Sequence, residues 1–280
     1  MTKASQVSGT QSIDVQEAVE RIYTDGIVGL PGAFPREWAA QLGRDIEVAF
    51  EEARGREGGA VGRGPNRYYV EVHPEQISGF LQLVTHPSVT AICEGVLGPE
   101  YQIVEVGFDI PFEGAIRQPW HRDFPMPEVT RRERKLNSLA LNATTVDTEE
   151  DMGPFEIALG TQWDDDPAFE HGMFPPKEHY ARYEERAVRK YPTMGDVSIR
   201  SALTIHRGTA NQSTKSRPVL VLGIDAPGAG NDDKHDMAVT RAFWAGLPEE
   251  VRAHLHCPVV ETLTPITQKH SIEGLVMGDA

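Results

Sequence analysis

"YQIVEVGFDI", residues 101–110, is where the chain changes character. Four further runs of the same kind follow: "KLNSLALNATTVD" (135–147), "GPFEIAL" (153–159), "GDVSIRSALTIH" (195–206) and "RPVLVLGID" (217–225). All are short and β-rich, and loops rather than helices separate them. Several strands in succession without intervening helices predict an antiparallel sandwich or barrel. Along "NSLALNATT", Ser138, Ala140, Asn142 and Thr144 alternate with Leu139, Leu141, Ala143 and Thr145. Side chains alternate across a strand, so the first set suits a pocket wall and the second a core. A water-facing strand would read the same way.

Before Tyr101 the pattern is helical. Ile13, Val15, Ala18, Val19, Ile22 and Tyr23 recur at helical spacing after Ser12. "DGIVGLPGAFP" reads as a short strand and a turn. In "PREWAAQLGRDIEVAFEEARG", Trp38, Leu42, Ile46 and Phe50 form one stripe between Pro35 and Gly55. A Gly-rich loop covers 55–66, and two short helices are expected near 75–84 and 87–96. Residues 164–192 interrupt the strands with a polar, partly helical insertion that reads as a lid or as decoration. Another helix opens at Pro248-Glu249-Glu250. With no internal repeat and no long linker, residues 1–280 are expected to form one domain. Its parts are a helical region (about 1–100), a barrel (about 101–226) and a C-terminal helix and tail (227–280).

Composition narrows the function. The 280 residues are 39% hydrophobic, enough for a sizeable core. A net charge of −15 disfavours a nucleic-acid surface, which needs a basic stripe. The one dense basic run, "RRERK" (131–135), reads as a solvated loop. The only cysteines, Cys93 and Cys257, suggest neither a disulfide framework nor a zinc site. "MTKASQVSGTQS" lacks the apolar region of a signal peptide, and no apolar run approaches the roughly 20 residues of a membrane span. These features predict a soluble, cytoplasmic protein with no membrane or nucleic-acid partner; they leave its oligomeric state open. "HLHC" (254–257) lies on a predicted helix without a fourth partner and reads as surface. The acidic runs 164–166 and 232–233 lack the spacing of a calcium loop.

"RQPWHRDFP", residues 117–125, carries the chemistry. On an extended segment His121 and Asp123, at i and i+2, point to one side. A redox iron site needs two histidines and one carboxylate on one face, leaving positions open for ligands and dioxygen. His206, ending an apolar strand, would complete the set. Arg217 opens the next strand. If those two strands pair, its planar guanidinium returns to the same cavity and could clamp a carboxylate through two parallel hydrogen bonds.

These segments together resemble the phytanoyl-CoA dioxygenase-like branch of the iron(II)/2-oxoglutarate oxygenases. The resemblance runs through "DGIVGLPGAF", "HPSVTAICEGVLGPEY", "QPWHRDFP", "VDTEEDMGPFEIALGTQW" and "GDVSIRSALTIHRGTANQSTKSRPVL", most of residues 20–225 in the family's order. It implies a mainly β fold, a double-stranded β-helix (jelly-roll, cupin-like barrel) with flanking helices. It implies iron(II) on His121, Asp123 and His206, and the distal carboxylate of 2-oxoglutarate on Arg217. The implied activity is oxidation of a small organic metabolite, typically hydroxylation, by dioxygen with conversion of 2-oxoglutarate to succinate.

The family often has a serine two residues after the distal histidine, where this chain has Gly208; Thr209 or Ser213 would substitute. Asn142, Thr144, Gln118 and Thr209 are the further candidates for the cosubstrate. Arg63, Arg67, Tyr69, Arg122, Phe124 and Trp163 are candidates for the substrate, the arginines suiting an anionic group or salt bridges within an acidic chain. The alternatives are a redox-inactive metal-dependent isomerase or hydrolase and a non-catalytic metabolite-binding barrel.

Overall fold

The structure, a computed structural model, describes residues 13–231 and 234–269. In chain order its elements begin with α1 (Val15–Thr24), β1 (Ile27–Leu30), α2 (Arg36–Arg54), β2 (Val61–Gly62), β3 (Arg67–Glu71), α3 (Phe80–Val84) and α4 (Pro87–Leu97). Then come β4 (Gln102–Pro111), α5 (Glu128–Glu133), β5 (Ser138–Thr144), β6 (Phe155–Ala158), α6 (Tyr180–Glu184), β7 (Ala187–Lys190), β8 (Val197–Ser201), β9 (His206–Gly208) and β10 (Val219–Asp225). The chain continues with β11 (Val239–Thr240), α7 (Arg241–Gly246), α8 (Glu249–His254) and β12 (Val259–Val260).

The fold is mainly β with flanking helices, as the strand runs predict. A seven-stranded antiparallel sheet has the order β1-β8-β5-β10-β4-β3-β2, and a three-stranded sheet the order β7-β6-β9. Among the described residues these two sheets do not join into one closed ring, and β11 and β12 form a separate two-stranded parallel sheet. The N-terminal region is less purely helical than its periodicity suggests, because β1, β2 and β3 all join the large sheet. Short strands whose partners lie far along the chain leave little local signal.

Helices cover one face of the large sheet. The Asp14 carboxylate accepts the backbone N–H groups of Gln16 and Glu17, satisfying donors that the first turn of α1 leaves open. Along α2, Leu42, Ile46 and Phe50 are buried, and Phe34 stacks on Trp38 with ring centroids 4.0 Å apart. Each such large apolar side chain contributes about 1.5–3 kcal/mol when fully buried. From the sheet, Leu139, Leu141, Ala143, Leu220 and Leu222 face this core. The opposite face of β5, with Ser138, Ala140, Asn142 and Thr144, lines a cavity between the two sheets, so the alternation read from the sequence is realised.

The insertion 164–192 builds part of the small sheet. Its β7 forms the sheet edge, and Phe169 and Tyr183 pack with Trp120 and Ile205 in a second, smaller core. His171, Met173 and Phe174 from the same segment line the cavity. The basic run is partly folded into α5, where Arg131 pairs with Asp165 and Glu128. In "HLHC", His254 stacks on Tyr101 at 3.8 Å between ring centroids and bonds its carbonyl, tying α8 to the start of β4. Asp232-Asp233 lies outside the described residues. No described helix is long and apolar enough to cross a membrane.

Candidate metal centre

His121 and His206 lie side by side because their backbones pair. The His121 N–H donates to the His206 carbonyl at 3.0 Å, and the His206 N–H donates back at 2.8 Å. Two residues on, the Asp123 N–H donates to the Ala202 carbonyl at 3.0 Å. Residues 121–123 therefore run extended, which places the side chains of His121 and Asp123 on one side, as the i, i+2 spacing requires. The candidate ligand atoms of His121, Asp123 and His206 all lie within 4.8 Å of one another.

The imidazoles are prepared as donors. His121 Nδ1 lies 2.9 Å from the Pro119 carbonyl and His206 Nδ1 lies 2.8 Å from the Thr204 carbonyl. A carbonyl only accepts, so each Nδ1 carries the proton and each Nε2 keeps its lone pair. Burial pushes the His121 pKa down to about 4, against the Pro119 carbonyl and the Asp123 charge. Burial, then the charge of Arg200, pushes His206 well down too. Both rings are thus neutral at physiological pH, the form that binds a metal. For Asp123, burial acts upward, but Arg200 and His206 outweigh it and hold the carboxyl below the usual range. Two neutral nitrogens and one carboxylate on one side fit a divalent iron.

Arg200 escaped the sequence reading. Its Nη1 donates to Asp123 Oδ2 at 2.7 Å and its Nη2 to Asp123 Oδ1 at 3.2 Å. The signal was available: on β8, Ile199 faces the core while Ser198 and Arg200 line the cavity, so alternation alone would have turned this arginine inward.

At the other end of the cavity two buried arginines meet. Arg217 is 5% exposed, and its Nε donates to the Gly153 carbonyl at 3.0 Å. Burial, and then the like charge of Arg67, pushes its pKa down to about 10, so it stays charged at neutral pH. Arg67, 2% exposed, donates to Gln118 Oε1 at 2.9 Å, to the Thr209 carbonyl at 3.2 Å and to Asp109 at 3.3 Å. The route to this end differs from the one read in the sequence. His206 is on β9 of the small sheet and Arg217 precedes β10 of the large one, so the two strands are not hairpin partners; the intervening chain crosses between sheets.

The substitution at Gly208 has a physical reason. A Cβ there would stand 2.0 Å from Arg67 Nη1, and three partners, Asp109, Gln118 and the Thr209 carbonyl, hold that guanidinium in place. Gln118 completes the arrangement, since its Oε1 also accepts the Gly208 N–H at 2.8 Å.

The remaining candidates divide by position. Asn142, Thr144, Gln118, Arg63, Arg67, Tyr69, Arg122 and Phe124 all line the cavity. Thr209 and Trp163 do not. The Thr209 hydroxyl donates to the Pro154 carbonyl at 2.8 Å, and Trp163 Nε1 donates to the Tyr23 carbonyl at 3.0 Å. Ser213 is held in a turn by Asn211 and Lys215. Arg122 is 2% exposed and committed to the Gly172 and Asp164 carbonyls, which makes it a clamp on the insertion. The same cavity has an acidic wall missed by the sequence reading. Tyr69 donates to Glu105, and His235 bridges Glu71 at 3.6 Å and Glu105 at 3.8 Å. The whole cavity measures about 1040 Å³, ample for a cosubstrate and a small molecule together.

A two-sheet antiparallel fold with a two-histidine, one-carboxylate triad between its sheets is the architecture of the cupin-like iron/2-oxoglutarate oxygenases. Within that class the chain belongs to the Phytanoyl-CoA dioxygenase (PhyH) family, whose pattern it matches over residues 22–219. No curated protein matches its sequence. Among solved structures it is similar to the epimerase SnoN in complex with Fe3+, alpha ketoglutarate and nogalamycin RO, with 19% identity, a TM-score of 0.58, and coverage of 77% of this chain and 91% of that one. HygX from Streptomyces hygroscopicus, with nickel and 2-oxoglutarate bound, shares 14% identity at a TM-score of 0.55, covering 76% and 87%. EctD from S. alaskensis, with 2-oxoglutarate and 5-hydroxyectoine, shares 16% identity at a TM-score of 0.60, covering 79% of each chain. At these identities the likeness establishes the fold.

Proposed function

We propose that this chain, as a single domain, is an iron(II)/2-oxoglutarate-dependent oxygenase that hydroxylates a small organic molecule. Iron(II) would be held by His121, Asp123 and His206. When bound, it supplies redox chemistry with dioxygen, coupling decarboxylation of 2-oxoglutarate to oxidation of a C–H bond. The observation carrying the reading is the pairing of a preorganised triad with a cationic pocket in one cavity.

The protein's own contribution is placement. Arg217 and Arg67 would take the distal carboxylate of 2-oxoglutarate. Two guanidinium charges there face one carboxylate, Asp109, so a further anion completes the balance. Arg67 would stand in for the serine that Gly208 replaces. Asn142, Thr144 and Gln118, which line the same cavity, would contact the cosubstrate. The substrate would sit toward Arg63, Tyr69 and Phe124, with the enclosing sheets limiting water near the reacting bond.

The test is a metabolite screen for substrate-stimulated formation of succinate from 2-oxoglutarate under air, with His121→Ala as the control. A product one oxygen atom heavier than its substrate is the expected result. Unchanged mass indicates epimerisation, and loss of two hydrogens indicates desaturation or ring closure; either overturns hydroxylation while keeping the cofactor reading. Turnover that persists without 2-oxoglutarate overturns the reading itself.

A further inference from the structure

The ion pair between Arg200 and Asp123 places a permanent cation against the only carboxylate of the triad. Asp123 Oδ1 lies 3.4 Å from His206 Nε2 and 3.2 Å from Arg200 Nη2, so the oxygen turned toward the histidines is shared with the arginine. Oδ2 is taken by Nη1 at 2.7 Å. The Arg200 side chain is 6% exposed, and its Nε is buried without a hydrogen-bond partner. Its face lies 5.7 Å from the centroid of the Phe155 ring. Asp123 is its one carboxylate partner among the described residues, and the strand pairs of β8 fix it in that place, with Ala140 on one side and Ile27 on the other.

We infer that Arg200 is an internal counter-ion that holds the Asp123 carboxylate in the metal-free protein and lowers the site's affinity for a divalent metal. This rests on the metal reading above and names a residue that tunes it. Two opposed effects decide the sign. The fork fixes the Asp123 side chain, and freeing one side chain weakens binding by about tenfold at most. Against that, a guanidinium charge beside a dication in a partly desolvated cavity repels it, an effect on the order of a hundredfold even at a high effective dielectric. Removing the arginine also leaves the Asp123 carboxylate, 33% exposed, without its charged partner, and an arriving metal then takes that place. The electrostatic effects act together and exceed the positional one.

The experiment is titration of cobalt(II) into the metal-stripped full chain, followed by calorimetry and by the visible ligand-field bands. Arg200→Gln and Arg200→Met should bind cobalt(II) about tenfold tighter than the wild type, and their metal-free forms should melt at lower temperature. Arg200→Lys keeps the charge and should bind within about threefold of the wild type. Equal or weaker binding by the neutral variants overturns the inference, as does equal tightening by the lysine variant, which would implicate the fork rather than the charge. If the methionine variant does not fold, the glutamine variant decides, because its amide still hydrogen-bonds Asp123. Failure of the wild type to bind cobalt(II), or full binding by His121→Ala, would instead defeat the metal reading.

Discussion

The two ends of the cavity treat charge in opposite ways. At the triad end, Asp123 is matched by Arg200, and the histidines are neutral; the protein has balanced its own charges and left lone pairs free. At the far end, Arg67 and Arg217 are both nearly buried and, among the described residues, Asp109, itself 23% exposed, is the one carboxylate that pairs with them. A buried charge left uncompensated is costly, so a fold that keeps one there is shaped around something that arrives. The first end offers lone pairs to a cation, and the second offers positive charge to an anion. A metal and a dicarboxylate satisfy both needs at once.

The contrast breaks most completely at the triad. His121→Ala or His206→Ala should weaken iron(II) or cobalt(II) binding by about a hundredfold or more and abolish succinate formation, since loss even of a group that only supports a ligand typically costs 10–100-fold. Calorimetric titration checks the first claim and product analysis the second. Retention of wild-type metal affinity by either variant would show that the free Nε2 atoms are not ligands.

At the cationic end the larger effect belongs to Arg217. Among the described residues its one hydrogen-bond acceptor is the Gly153 carbonyl, bonded through Nε, which leaves its terminal amino groups for a ligand. Arg217→Ala should cost about 2–5 kcal/mol of 2-oxoglutarate binding while metal binding persists. Isothermal titration of 2-oxoglutarate into the metal-loaded variant reads this directly. An unchanged Kd would mean that the excess charge serves some other anion.

How much of this was legible beforehand follows from the range of each signal. The triad could be read because His121 and Asp123 sit at a spacing that any extended segment turns into a shared face. The pocket side of β5 could be read from its alternation. Arg67 could be named as a candidate for the substrate, but its place beside Arg217 could not be read, nor could the acidic wall, because both depend on register across β3, β4 and β10, strands that lie far apart in the chain. The same holds for β1, whose partner β8 follows more than 160 residues later. Arg200 is the intermediate case, visible from alternation but with no local hint that Asp123 would be its partner.

The acidic wall sharpens the comparison, because there the charges are settled within the protein. Burial acts to lower the His235 pKa, but the charge of Glu105 and the hydrogen bond and charge of Glu71 outweigh it and raise it to about 9. The folded value exceeds the unfolded one near 6.5, so the stabilisation is fully present below about pH 6.5 and is lost as pH rises through about 9. The shift corresponds to about 3 kcal/mol at most. Glu71 also accepts the N–H groups of Asp236 and Met237, so the segment after Lys234 is tied to the same carboxylates. His235→Gln should therefore lower the urea midpoint at pH 6 by an amount that has largely vanished at pH 10. An equal gap at both values would show that His235 acts without its charge.

The smallest effect is expected at Thr209, which tests whether nearness in sequence to a ligand implies a role. It follows Gly208 and stands where a substitute for the family's serine would be sought. Its hydroxyl, however, donates to the Pro154 carbonyl, and the residue is 7% exposed. Only its backbone carbonyl serves the cationic pocket, by accepting from Arg67. A change of side chain leaves that carbonyl in place. Thr209→Val keeps the branched shape and removes one buried hydrogen bond, so it should cost about 1 kcal/mol of stability. The affinity for 2-oxoglutarate should stay within about twofold of the wild type. A loss comparable to that of Arg217→Ala would return the hydroxyl to the cosubstrate and leave Arg67 as a structural cation. Retained affinity, with Arg67→Met losing it, assigns the second contact to the guanidinium that Gly208 makes room for.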